Sequence, residues 1–253
     1  MVKLVEKKKT RHYFYTVVVM LTVWHILSKL LNMSIIPSPI DVLINLSETF
    51  FSKIFVHTFF STWRIIAGVL LAIILGVPIG LCMGYFHMWD RILSPFIYFQ
   101  YPIPKMALLP IVMLVFGLGE FPKIIMIILI VIFQVVVAVR DTVKNIPEET
   151  YYPLYSIGGT HLDIFKEIVI PASLPKLLTT LRIAIGTAIS VLFFTETFGT
   201  EHGMGYFIMD AWMRVNYLEM YAGILVLSSM GFLLFVTIDY LEKVLCPWRQ
   251  KKE

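Results

Sequence analysis

Charge is scarce in this chain: 15% of its 253 residues are Asp, Glu, Lys or Arg, against 58% that are hydrophobic. A soluble domain carries about one-quarter charged residues, so most of this surface must face something other than water. Cysteine is scarcer still. Cys82 and Cys246 stand alone, too few and too isolated for a disulfide framework or a metal site, and both read as small apolar residues. The histidines (His12, His25, His57, His87, His161 and His202) are scattered without an H-E-x-x-H spacing. No G-x-S-x-G elbow marks a hydrolase nucleophile. No basic run interleaves with aromatics, which excludes nucleic acid as the expected partner. Catalytic, cofactor and metal residues are therefore not expected on this chain.

Long apolar runs are what the chain has instead, and its mean hydropathy is +0.81. A membrane-spanning helix needs roughly 20 apolar residues. The pattern predicts an all-α integral membrane protein with about six spans, at 13–31, 62–86, 96–116, 121–139, 177–197 and 221–241. All 253 residues then form one membrane domain in contact with lipid: an N-terminal anchor at 13–31, a core at about 56–245 and a polar cytoplasmic segment at about 140–176. The basic N-terminus also suits a signal peptide, but the run ends in Asn32-Met33-Ser34-Ile35-Ile36-Pro37 without a small-residue cleavage site, so a retained anchor is expected. With both termini inside, 15 of the 21 Lys and Arg fall on the cytoplasmic side. That bias sets the expected orientation in the cytoplasmic membrane.

Three features qualify the spans. In the second, Gly68, Ala72, Gly76, Gly80 and Gly84 recur every four residues, which makes a groove for close approach of another helix, and Pro78 is expected to bend it. In the third, Pro102, Pro104, Lys105 and Pro110 interrupt the run; such a segment either lines a watery pathway or is a kinked helix buried in the bundle. Between the first two spans, residues 40–55 suit an amphipathic interfacial helix or a loosely packed connector.

The segment 140–176 reads as helix–turn–helix. Pro147 suits a first helical position, and Glu148 and Glu149 suit the positive end of the helix dipole. Gly158-Gly159 frees the chain for a sharp turn, and Gly158 is expected to need a positive φ or a close backbone approach. Thr160 with Asp163 then matches a capping box. A short helix carrying Leu162, Ile164, Phe165 and Ile168 follows, with Pro171 expected to end it. On these residues alone, docking into a partner's cleft and resting on lipid headgroups are equally open.

Resemblance separates them. Ile157-Gly158-Gly159-Thr160 with Val169-Ile170-Pro171-Ala172-Ser173-Leu174-Pro175 resembles the cytoplasmic signature of binding-protein-dependent ABC importer permeases. The sulfonate, nitrate and taurine branch is the most similar. The likeness extends over most of the chain, through Pro37-Ser38-Pro39, Ser61-Thr62-Trp63-Arg64 with Gly68, Pro102 to Pro110, Phe116-Gly117-Leu118-Gly119-Glu120, Gly186, Thr195-Glu196 and Gly203-Met204-Gly205-Tyr206. One position departs: the family's usual Glu, six residues before Gly158, is Tyr152 here, followed by Pro153, Leu154 and Tyr155. Glu149 lies nearly one turn earlier, where it could substitute.

The resemblance implies a type I importer permease fold and a mechanism. Two permease copies form the pathway, and each inserts its coupling segment into one of two cytoplasmic ATPase subunits. An extracytoplasmic binding protein delivers the solute. ATP and Mg belong to the ATPase, since this chain has no G-x-x-x-x-G-K-S/T loop. Glu149, Tyr152, Ile157, Gly158, Gly159, Thr160, Leu162, Phe165 and Pro171 are the coupling candidates. Lys105 and Glu196 are the pathway candidates, with a loop-holding role favoured for Glu196 and headgroup snorkelling for Arg64. An ion-gradient-driven secondary transporter is the alternative, although no inverted repeat is evident; an intramembrane enzyme would need a polar cluster that the sequence does not show.

Overall fold

The computed structural model describes the backbone of residues 2–100 and 102–248, and side chains from residue 15 onward within those ranges. No strand occurs among the described residues. Helix α1 (Val2–Leu31) leads to α2 (Pro39–Thr49), which passes through a π-helical turn, Phe50–Ile54, into the long α3 (Phe55–Tyr85). Helices α4 (His87–Gln100), α5 (Leu109–Phe116) and α6 (Glu120–Lys144) follow. Beyond α6 come the short α7 (Tyr152–Ser156) and α8 (His161–Ile164), then α9 (Ile170–Thr195), α10 (Met204–Met213) and α11 (Tyr217–Leu245).

Among the described residues, four uninterrupted helical runs are long and apolar enough to cross a membrane: Pro39–Tyr85, Glu120–Lys144, His161–Thr195 and Tyr217–Leu245. Within α1 the described apolar stretch is Tyr15–Leu31. The expected span at 96–116 is not one helix. Its two halves, His87–Gln100 and Lys105–Phe116, meet at 83°. Proline supplies the reason, because Pro102 and Pro104 have no N–H to continue a helix and disfavour helical geometry in the residues before them. The chain restarts as a 3-10 turn, Lys105–Leu108, and Pro110 then sits in the first turn of α5, where no N–H is required.

Residues 39–54 are helical and packed, not a loose connector. Ser38 caps α2, its hydroxyl oxygen accepting from the Asp41 N–H at 3.2 Å. Val42 and Ile54 are fully buried against Met204, Phe207, Ile208 and Ala222, so the segment is pinned to α10 and α11.

The main core lies where α3, α6, α9 and α11 meet, around Ile65, Val69, Val131, Val135, Leu181, Ala184, Ala188 and Met230. The small-residue ladder of α3 faces α6. A Cβ added at Gly68 would stand 2.6 Å from Ile127 Cγ2, one at Gly80 2.8 Å from the Val136 carbonyl oxygen, and one at Gly84 2.5 Å from Val143 Cβ. Only glycine lets these backbones approach so closely, and dispersion contacts along the seam replace the hydrophobic drive that lipid does not supply. Gly80→Leu has no space to fill, and overpacking of this kind costs at least about 1–3 kcal/mol. The expected result is a sharp fall in the monodisperse fraction on size-exclusion chromatography of detergent extracts. An unchanged profile would mean that the seam tolerates a full side chain.

Candidate functional site

Two constellations stand out, one at each end of the helices. The first follows α6. Asn145 closes that helix, its N–H reaching the Asp141 and Thr142 carbonyls. Pro147 stands just ahead of a 3-10 turn, Glu148–Thr150, rather than inside a helix, and the exposed Glu149 lies in that turn. Helix α7 ends in a Schellman motif: the Gly158 N–H donates to the Tyr155 carbonyl at 3.1 Å and the Gly159 N–H to the Leu154 carbonyl at 2.9 Å. Gly158 takes φ +77°, the left-handed conformation that such a motif requires at this point. Its missing Cβ would meet nothing within 4 Å, whereas one at Gly159 would stand 2.9 Å from Leu154. Gly158 serves the backbone; Gly159 also serves the packing.

Thr160 then caps α8 in a reciprocal box. Its Oγ1 accepts from the Asp163 N–H, and Asp163 Oδ2 accepts from the Thr160 N–H at 2.8 Å. Ile164 is buried and Phe165 leans on Tyr85, but Ile157 and Leu162, either side of the turn, are 80% and 81% exposed. Tyr152 is 55% exposed. Tyr151 stacks on Tyr155 with ring centroids 6.3 Å apart, and burial followed by Tyr155 pushes the Tyr151 hydroxyl above the ordinary phenol range. The turn thus presents Ile157 and Leu162 to solvent as an apolar rim, with Thr160 and Asp163 exposed beside them.

Pro171 does not end the short helix that follows the Gly158 turn. A π-helical turn, Phe165–Val169, follows α8, with the Ile170 N–H bonding to the Phe165 carbonyl, and the chain continues into α9. The extra residue in that turn places Pro171 within the opening turn of α9, where its lack of an N–H costs little. Residues His161–Thr195 therefore form one continuous helical run from the turn to the far end of the molecule.

The second constellation is a buried charge cluster at that far end. Arg64, fully buried, bridges two carboxylates. Its Nε and Nη2 donate to the two oxygens of Glu120, both at 2.6 Å, and its Nη1 donates to Glu196 Oε1 at 2.6 Å and to the His202 carbonyl at 2.8 Å. Glu196, also fully buried, accepts further hydrogen bonds from the Ser61 hydroxyl at 2.8 Å and the Gly205 N–H at 2.9 Å. Ser61 Oγ in turn accepts from the Met204 N–H. Gly203 is in the positive-φ region at +138°, and a Cβ there would press on Glu196 and Arg64. Lys123, fully buried, donates to the Gly119 carbonyl at 2.6 Å. The cluster ties α3, α6, α9 and the start of α10 together.

Arg64 therefore does not snorkel, because a guanidinium that satisfies two carboxylates inside the protein has no need of headgroups. Glu196 exposes no atom and holds the 196–205 loop. Lys105 is half-buried, with Nζ donating to the Gln100 carbonyl at 2.6 Å and lying 5.3 Å from the Phe133 ring centroid, so it braces the α4–α5 corner. Sequence reasoning missed Glu120 and Lys123 as members of the cluster. The available signal was that Ser61 and Arg64 share a helix face while the only acidic residue at the start of the fourth apolar run is Glu120.

The chain belongs to the family described as binding-protein-dependent transport system inner membrane components, whose sequence profile matches residues 68–250. It is 31% identical to the formylaminopyrimidine transport permease protein ThiX of Halalkalibacterium halodurans, over 92% of this chain and 94% of that one. It is 30% identical to the taurine transport system permease protein TauC of Escherichia coli, over 92% and 88% of the two chains. The fold is similar to that in a solved structure of the MetNI methionine ABC transporter in an inward-facing conformation. That match has a TM-score of 0.64 at 15% identity and covers 75% of this chain and 94% of the other. The protein is a multi-pass membrane permease of the ABC importer class.

Proposed function

We propose that this chain forms the solute pathway of its importer and receives the energy of ATP hydrolysis through the turn centred on Gly158. The observation that carries this reading is the solvent-facing apolar rim of that turn, Ile157 and Leu162, on a rigidly capped element continuous with a spanning helix. An apolar projection on a capped turn suits insertion into a cleft. Hydrolysis takes place on a separate cytoplasmic subunit, which holds ATP and Mg. Two permease copies, two ATPase subunits and an extracytoplasmic binding protein complete the assembly. Tyr152, Ile157 and Leu162 supply apolar contact, Phe165 holds the turn against Tyr85, Gly158, Gly159, Thr160 and Pro171 set the path of the backbone, and Glu149 supplies the carboxylate.

Relatives named for taurine, for aliphatic sulfonates and for formylaminopyrimidine support a small polar solute, and we place it among the sulfonate and taurine type. No carboxylate or cation of the buried cluster is free to select it, so selection falls to the binding protein. The excess of Lys and Arg on one side supports cytoplasmic termini. In intact cells of a cysteine-substituted strain, a thiol at Thr160 is expected to resist a membrane-impermeant maleimide, while one at Ser47 is expected to react. Reaction at Thr160 in sealed cells would put the turn on the wrong side for coupling.

A further inference from the structure

The inner end of α3 is joined to the coupling segment by a contact that the docking surface does not use. The Tyr85 hydroxyl lies 2.8 Å from His161 Nδ1. Its ring packs on Phe165 with centroids 4.7 Å apart and against Phe86 at 4.9 Å, and Phe86 reaches Phe165 at 6.2 Å. Tyr85 thus touches α8 through His161 and the π-helical turn that follows it through Phe165.

The two bodies that this contact joins are each stiff. On one side α3 is locked to α6 along the glycine seam and, at its far end, through Arg64 and Glu120. On the other, α8 runs without a break into α9. A displacement of the turn passes to α9 through the backbone itself. Helix α9 also packs on α3 and α6 through the main core; at the inner end of α3 the Tyr85–His161 bond adds a directional contact, which resists sliding where apolar packing alone does not.

We propose that Tyr85 is a positioning residue that transmits movement of the coupling turn to α3 through its hydrogen bond with His161. This rests on the reading that the Gly158 turn docks an ATPase. The chain carries its own reporter. Cys82 lies on α3 less than one turn before Tyr85 and is half-buried, while Cys246 is buried. In the purified permease–ATPase complex, the rate at which a maleimide labels Cys82 is measured with and without Mg-ATP plus vanadate, together with the amount of ATPase retained.

Wild type is expected to retain the ATPase and to show a nucleotide-dependent change in labelling. Tyr85→Phe keeps the ring contact with Phe165 and loses the bond. It is expected to retain the ATPase while the nucleotide-dependent change shrinks about fivefold, the factor one net hydrogen bond is worth. His161→Asn, whose side-chain oxygen takes the place of Nδ1, should keep more of the response than His161→Leu. A full response in Tyr85→Phe, or no response of Cys82 in wild type, overturns the linkage and leaves the coupling reading standing. Loss of the ATPase from Tyr85→Phe would place Tyr85 in the docking surface instead, which also overturns it. A wild-type chain that retains no ATPase overturns the coupling reading itself.

Discussion

Arg64→Ala is expected to be the most destabilising single change in the protein. The guanidinium and the Glu196 carboxylate are both fully buried, and Arg64 also holds Glu120 through two parallel hydrogen bonds. Removing the cation leaves the Glu196 charge buried with only the Ser61 hydroxyl and the Gly205 N–H for compensation. Breaking a buried pair from one side typically costs about 3–5 kcal/mol, a large part of the roughly 5–15 kcal/mol that holds a domain folded. The His202 carbonyl loses its donor as well, so the 196–205 loop should loosen with the helices. Thermal unfolding of the detergent-solubilised protein would show a large drop in midpoint and early exposure of the loop to protease. Arg64→Lys keeps a charge but cannot bridge two carboxylates in a planar fork, so it should fall between the two. Wild-type stability in Arg64→Ala would mean that the cluster contributes nothing net.

Gly158→Asp is expected to have the largest effect on function and a small one on folding. The position adopts φ +77°, and aspartate is among the residues that enter this region most readily. The added Cβ meets no atom of the chain within 4 Å, so the variant should insert and assemble. Its carboxylate, however, adds a charge between the exposed Ile157 and Leu162, on the apolar rim proposed to dock the ATPase. An uncompensated charge in a desolvated contact costs several kcal/mol, so retention of the ATPase should fall at least about tenfold, which requires only about 1.4 kcal/mol. Gly158→Ala carries the backbone strain without the charge and should retain most of the binding, which separates the two effects.

Local rules carry the segment 140–176 well, because its contacts are short-range. The Gly-Gly turn, the positive φ at Gly158 and the Thr160–Asp163 box each depend on residues within a few positions of one another, and spacing encodes such contacts directly. The glycine ladder of α3 was equally legible as a groove, but nothing in it names α6 as the helix that fills it. The prolines between α4 and α5 announce an interruption but not its size: Pro102 and Pro104 break the backbone at 83°, and the size of a break depends on what packs on either side. Pro171 was misread because a π-helical turn, set by tertiary packing, absorbs it. The charge cluster was the least visible feature. Arg64, Glu120 and Glu196 lie 56 and 132 residues apart in hydrogen-bonded pairs, and each alone looks like an interfacial residue that water or headgroups would satisfy.

Purification of the tagged chain from native membranes in mild detergent, with quantification of the copurifying proteins, tests coupling through the Gly158 turn most directly. The wild-type chain is predicted to bring down an ATPase carrying a G-x-x-x-x-G-K-S/T loop, in about equal molar amount. Gly158→Asp, inserted at the same level, is predicted to bring down a tenth of that or less. A wild-type chain that purifies without any ATPase, or a Gly158→Asp chain that retains it fully, would contradict the account.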